Sequence, residues 1–361
     1  MDLTVIWFVI IAIFWVGFFV LEGFDLGVGV LHRFVGRNDT ERRVAINTIG
    51  PFWDANEVWL IVGGAAIFAA FPGWYATMFS SLYLALVVIL VALIVRGVSF
   101  EYRGKRDSDR WRSGWSWALS VSSLLVPLLL GVGLGDLLVG LPIGGDQEYA
   151  GTFWDLLTPY GLTTGVALTV VCLSHGAAFL TLKTTGSVRE RSARVAAITG
   201  RVALVLTVVW VIYTAIVSES VNALTVAFMV LAVGGAAVGL LFGARGRDGV
   251  GFAASAVGIG AMVATLFSSL YPNVMVSSLA TANNLTVANT ASGAYALQVM
   301  TIVAVVMFPI VLLYQGWNYY VFRRRIATPV TSGADVADLE RDVSDHGQQQ
   351  TADRQGDQRG R

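Results

Sequence analysis

The sequence predicts an all-α, polytopic integral membrane protein of about nine transmembrane helices, on three observations. The chain is 55% hydrophobic and only 13% charged, where ordinary soluble domains carry about 25% charged residues. Several apolar runs reach the roughly 20 residues that a helix needs to cross a hydrocarbon core about 30 Å thick. The basic residues are confined to alternate connections: the segments after spans one, three, five, seven and nine hold all 24 Lys and Arg, counting Arg96 at a span's end. Basic loops stay in the cytoplasm, which places the N-terminus outside and the C-terminus inside, as an odd number of spans requires. The short alternating segments of a β-barrel do not occur in the sequence.

The first span, Val5 to Gly29, has no basic residue before it and runs on through LEGFDLGVG, so it reads as a retained helix rather than a cleavable signal. GRNDTERRVAINTIG follows, with Asn38 or Asp39 as N-cap of a short polar helix on the cytoplasmic surface. Spans two to five are Pro51 to Phe71, Ala76 to Val98, Trp115 to Val139 and Tyr160 to Leu182. After the fifth, TTGSVRERSARVAAITG is much like the basic segment after the first. That suggests a parallel duplication and an arrangement of two four-helix bundles plus one peripheral helix.

Spans six to eight are Val202 to Ser218, Leu224 to Phe242 and Gly251 to Tyr271; the sixth has nothing corresponding to Asp54 and Glu57, so chemistry is concentrated in the first half. The outer segment PNVMVSSLATANNLTVANTASG is uncharged and full of Ser, Thr and Asn, composition that suits either a partner's surface or a solvated loop. Tyr295 to Phe322 is the ninth span. Residues 1–326 then form the transmembrane domain, and 327–361, rich in Asp, Arg, Gln and Gly, read as a disordered cytoplasmic tail.

Composition also excludes several chemistries. The single cysteine, Cys172, allows no internal disulfide, iron-sulfur cluster or thiolate zinc site. A net charge of zero with short basic loops gives no support for nucleic-acid binding. Of three histidines, His346 lies in the tail and His32 at a loop edge, which leaves His175 as the deeply placed imidazole. Several haems would need more axial ligands than that, and His175 reads as a hydrogen-bonded interior residue. The 11 Trp are expected mostly in interfacial belts.

Charged side chains inside a bilayer are disfavoured by roughly 2.5 to 3.5 kcal/mol each on insertion scales, so they flag function. Glu22, Asp25, Asp54, Glu57 and Arg96 all fall in the inner half of spans one to three. Glu22 and Asp25 are three residues apart, as are Asp54 and Glu57, so each pair shares a helix face. The five can form one functional cluster. The alternative is structural, with Pro51 and nearby acids suiting a helix's first turn and Arg96 snorkelling to the interface.

GFDLGVG, GRNDTERR, GPFWDANEVWLIVGGAAIFAAFP and RGVSFEYR, in this order and spacing, closely resemble subunit II of cytochrome bd-type quinol oxidases, with weaker matches through YPNV and YQGWNYYVFRRR. The resemblance covers essentially the whole chain except the tail. One departure is Ala55, where the family usually has Gly after the Trp-Asp pair; another is the outer loop, interrupted by Gly293 and Ala294. The resemblance implies a bacterial inner-membrane terminal oxidase that oxidises quinol and reduces oxygen to water. Haems b and d and the main quinol-oxidising loop then belong to a partner, subunit I. This chain packs against that partner, binds no haem or metal itself, and has quinone as a possible ligand and small single-helix subunits as further partners. The resemblance gives the charged cluster two functional readings, a proton route along Glu22, Asp25, Asp54 and Glu57 and a pocket for a quinone head made by Trp53, Asp54 and Arg96. A proton-coupled secondary transporter and a purely structural scaffold are the alternatives. The Arg-rich, Lys-poor composition points to a GC-rich genome and hence to menaquinone.

Overall fold

The computed structural model describes residues 2–327. The tail expected from residue 327 therefore lies, but for Ala327, outside the described residues. Eleven α-helices follow one another: α1 (Leu3–Val35), α2 (Asp39–Asn47), α3 (Trp53–Ala70), α4 (Pro72–Ser81), α5 (Tyr83–Tyr102), α6 (Asp109–Val139), α7 (Pro159–Lys183), α8 (Gly186–Val217), α9 (Ala223–Ala244), α10 (Asp248–Leu270) and α11 (Ala294–Val321). Eight are long and apolar enough to cross a membrane. The exception among the expected spans is α3, whose first turns carry Trp53, Asp54, Asn56 and Glu57.

The helix α1 is central and packs on α3, α6, α7 and α10. Its closest approach is to α7, where a Cβ on Gly27 would stand 2.1 Å from the Cys172 carbonyl oxygen. Glycines serve the same end between α6 and α7, at Gly131 and Gly165, and between α9 and α10, at Gly235 and Gly258. By contrast α11 lies against α1 and α3 with most of its apolar side chains exposed. Trp7 ties it to α1 by donating to Thr301 Oγ1 at 3.0 Å.

Three expectations change. The third span is broken at Leu82 into α4 and α5. The hydroxyls of Thr77, Ser80 and Ser81 all bond to carbonyls three or four residues back, a competition with the backbone ladder that bends helices. The basic segment after the fifth span is not a separate surface helix but the first turns of α8. Its Gly200 does not end a helix: a Cβ there would meet Leu240 Cδ1 at 3.1 Å, so the glycine admits a neighbour. Pro51 lies in the turn before α3, not in the helix, and its carbonyl accepts from Asn318 Nδ2 at 3.0 Å.

The helix after the first span does form, with Asn38 as the N-cap accepting from the Glu41 amide at 2.8 Å. The uncharged outer segment folds back on its own chain. Strand β1 (Asn273–Met275) pairs antiparallel with β2 (Leu285–Thr286). Asn284 accepts from the Ser277 amide at 2.8 Å, Asn283 donates to the Ile143 carbonyl at 3.0 Å, and Ser292 bonds the carbonyls of Ala69 and Ala70. The Ser, Thr and Asn content is thus spent on satisfying loop backbone.

Candidate functional site

Arg96 on α5 is wholly buried and is the hub of the charged cluster. Its Nη2 stands 2.6 Å from Glu22 Oε1 on α1, and its Nη1 donates to Glu57 Oε2 on α3 at 2.9 Å. Glu22 has no exposed side-chain surface, whereas Glu57 keeps 20%. Although close to the guanidinium, neither Glu22 oxygen is aligned for a hydrogen bond. Helix spacing explains the convergence: Glu22 and Asp25 share one face of α1, and both are buried.

Asp25 is bound differently. Its Oδ2 accepts from Asn56 Nδ2 at 2.6 Å, and that amide also reaches the Leu21 carbonyl at 3.1 Å. Asn56 Oδ1 in turn accepts from Gln315 Nε2 at 2.6 Å and from the Tyr319 hydroxyl at 3.1 Å. The network therefore joins α1, α3, α5 and α11. Asn56, Gln315 and Tyr319 were not picked out from the sequence. Asn56 sits between Asp54 and Glu57, and Gln315 and Tyr319 are four apart on one face of α11, so polarity at helical spacing in apolar runs was the available signal.

Asp54 departs from expectation. It is exposed and forms no ion pair with Arg96; Glu57, one turn on, takes that place. Trp53 does stand close, its ring stacked on Phe100 with centroids 4.8 Å apart and the Arg96 guanidinium carbon 5.9 Å from its centre. The three residues expected to hold a quinone head are thus an aromatic stack, a buried ion pair and a surface carboxylate. A roomier apolar groove of about 500 Å³ lies along another side of α3, between it and α11, and includes Trp7, Trp59, Val62, Met300, Val303 and Phe308.

His175 Nδ1 is 2.7 Å from Ser255 Oγ and Nε2 is 3.1 Å from the Val20 carbonyl oxygen. Protein partners engage both nitrogens, a donor set that does not fit an axial haem ligand. His32 is not at a loop edge; α1 runs on past it to Val35, it is fully buried, and its Nδ1 bonds the Gly29 carbonyl at 2.7 Å. Among the described residues no group of three or more His, Cys, Asp or Glu is arranged to hold a metal ion.

The arginine-rich end is laced by ion pairs outside this cluster. Glu41 on α2 takes Arg191 of α8 at 2.7 Å, the Arg37 amide at 2.7 Å and Ser187 Oγ at 2.9 Å. Burial pushes the Glu41 carboxyl up, but the bonds from Arg191, Arg37 and Ser187, with the Arg191 charge, prevail and hold it at about 2. Asp248 at the start of α10 takes Arg189 at 2.8 Å and Arg325 at 3.2 Å.

This is a polytopic α-helical membrane protein organised around buried carboxylates that share one guanidinium. Residues 3–322 match the family model described as cytochrome bd terminal oxidase subunit II. The chain is 44% identical to cytochrome bd ubiquinol oxidase subunit 2 of Bacillus subtilis over 325 residues, 89% of this chain and 96% of that one. It is 36% identical to cytochrome bd-I ubiquinol oxidase subunit 2 of Escherichia coli over 360 residues, 90% and 95% of the two chains. The fold is also that of a chain in the structure of bd oxidase from Geobacillus thermodenitrificans, with a TM-score of 0.63, 18% identity, and 89% and 97% of the chains covered. The chain belongs to the family of subunit II of cytochrome bd-type quinol oxidases. It is a subunit of a terminal oxidase complex, an oxidoreductase, and neither the transporter nor the scaffold reading is favoured.

Proposed function

We propose that this chain pairs with a haem-bearing subunit I in a bacterial inner-membrane quinol oxidase and carries protons inward along its acid cluster. The observation that supports this is the charge count. Glu22 and Glu57 both stand against the buried Arg96 guanidinium, and Asp25, one turn from Glu22, is fully buried on Asn56, so the group is neutral only when two carboxyl protons are bound. Because uncompensated charge in a low-dielectric interior is costly, protons are the natural means of balance. Oxygen reduction to water consumes protons, and a buried oxidase must draw them along titratable groups. The order is Asp54 at the exposed edge, Glu57 one turn on and partly exposed, then the Arg96–Glu22 pair, with Asp25 held by Asn56 beyond it.

In this reading the basic loops mark the cytoplasmic side, the N-terminus is outside, and α3 counts as the ninth span in two four-helix bundles with α11 peripheral. At 18 residues α3 is about 27 Å long, close to a hydrocarbon core. Haems b and d belong to subunit I, with quinol and oxygen as the substrates of the complex; menaquinone and small accessory subunits are part of the same reading. A second reading, a quinone held by this chain, rests on the apolar groove between α3 and α11, whose volume of about 500 Å³ suits a prenyl chain.

The test is Asp25→Asn in the intact complex. Assembly and haem spectrum should be kept while quinol-driven oxygen consumption slows, the loss growing as pH rises and free protons become scarce. Normal turnover across pH in a fully assembled variant rules the route out. Loss of assembly and haem together means that the cluster serves packing instead.

A further inference from the structure

The interior enclosed by α7, α8, α9 and α10 contains a second polar feature, unconnected with the acid cluster. Close approaches of Gly235 to Gly258 and of Gly239 to Gly251 bring α9 and α10 together. Among the small side chains of all four helices a crevice of about 60 Å³ is left. A water molecule needs about 10–15 Å³ of such space, so there is room for roughly four. The crevice runs from Asp248 and Thr181 near the arginine-rich face, past Ser174 and Ser255, to Thr207.

Its polar atoms set it apart from an apolar void. Thr207 is 2% exposed, yet its Oγ1 makes no hydrogen bond within the protein. Thr181 differs, bonding the Ala177 carbonyl one turn back at 2.8 Å. Asp248 is 7% exposed and gives Oδ2 to Arg189 and Arg325, while Oδ1 has no protein partner. Buried polar atoms are rarely left unsatisfied, and water in the crevice would supply the partners that Thr207 Oγ1 and Asp248 Oδ1 lack.

The crevice also has direction. Beyond Thr207 it is closed by direct bonds: Trp210 Nε1 donates to Thr164 Oγ1 at 3.0 Å, and the Tyr160 and Thr214 hydroxyls meet at 2.8 Å, all four side chains being fully buried. Partway along, Ser255 Oγ borders the crevice and touches His175 Nδ1 at 2.7 Å. A carbonyl can only accept, so the ring's Nε2–H donates to Val20, while Ser255 Oγ, which also lies 2.8 Å from the Phe252 carbonyl, has a single proton to share between that carbonyl and Nδ1.

We propose that this crevice is a water-filled inlet, open to the arginine-rich face, closed to the opposite face, and bordering the Ser255–His175 pair. It leaves one hydroxyl between bulk water and an imidazole in the membrane interior. The site stands independently of the proton route through Glu57 and Asp25, and its test does not use turnover.

The chain's only cysteine, Cys172, is 1% exposed, which makes introduced thiols legible. Ala203→Cys and Ala236→Cys place thiols on the crevice wall, and Val205→Cys places one on the exposed apolar face of α8 within the same span as a control. The intact two-subunit oxidase in sealed vesicles is treated with a small positively charged methanethiosulfonate. Because the attacking thiolate needs water, both crevice thiols should react at least about tenfold faster than the control, and only when reagent is added on the arginine-rich side. Reaction with a membrane-soluble maleimide but not the charged reagent would show a lipid chain in the crevice, and reaction with neither would show it closed by packing. Either outcome, or equal reaction from both sides, overturns the proposal.

Discussion

Arg96 is the residue on which the cluster's charge balance turns. Removing one partner of a buried ion pair leaves an uncompensated charge and costs about 3–5 kcal/mol. Arg96→Met should therefore abolish recovery of the assembled, haem-loaded complex, and Glu22→Gln on top of it should restore part of the yield. Asp54→Asn removes a surface carboxylate with no ion-pair partner, so its thermal unfolding should shift by no more than about 0.5 kcal/mol. Spacing in the sequence places Glu22 and Asp25 on one face, and the order of the spans allows Arg96 to come near them; its pairing with Glu22 is seen in the structure. Spacing could not decide which of Asp54 and Glu57 turns inward, because both begin a helix whose buried face is set by the helices it packs on, α1 above all. Nor could it join Asn56 to Gln315, 259 residues away, since nothing local records such a contact.

Helices in this molecule are held by glycine contacts within the membrane and by ion pairs at the arginine-rich end. A methyl group on Gly27 meets α7 backbone at 2.1 Å, whereas one on Gly64 meets nothing within 4 Å. Gly27→Ala should cost roughly 3 kcal/mol, as overpacking does. Gly64→Ala should instead gain about 0.5–1 kcal/mol from helix propensity. Unfolding midpoints of the detergent-solubilised complex compare the two.

At the ion-paired end, Glu41 has its carboxyl lowered from an ordinary value of 4.5 to about 2. Its stabilising contribution is therefore complete above about pH 4.5 and is lost as pH falls through about 2. Glu41→Gln should be less stable than the parent at pH 7, with the gap closing across that acid window; a constant gap would mean that ionisation of Glu41 contributes nothing. Hydropathy located nearly every helix in the sequence but not the break at Leu82 or the continuity of α8. The first depends on hydroxyls bonding their own backbone, and the second on Gly200 making room for Leu240.

Across the whole molecule, the confinement of Lys and Arg to alternate connections is what the proposed orientation rests on. A cytoplasm-only reporter fused after Arg325 should be active; activity of a periplasm-only reporter there would reverse the orientation or change the helix count. The fold class was plain in composition and run length. The long outer segment was not, because Ser, Thr and Asn serve a solvated loop and a folded hairpin equally well, and only the carbonyls of Ile143, Ala69 and Ala70 decide between them.

In the proposed function, protons consumed in oxygen reduction enter through the carboxyls of Glu57, Glu22 and Asp25. The most direct measurement is proton uptake from the arginine-rich side during a single turnover of the reduced, oxygen-pulsed complex in vesicles, followed with a pH-sensitive dye. With haem content and quinol binding unchanged, Asp25→Asn and Glu57→Gln should each slow uptake together with haem reoxidation. Uptake at the parent rate in both fully assembled variants would contradict the account.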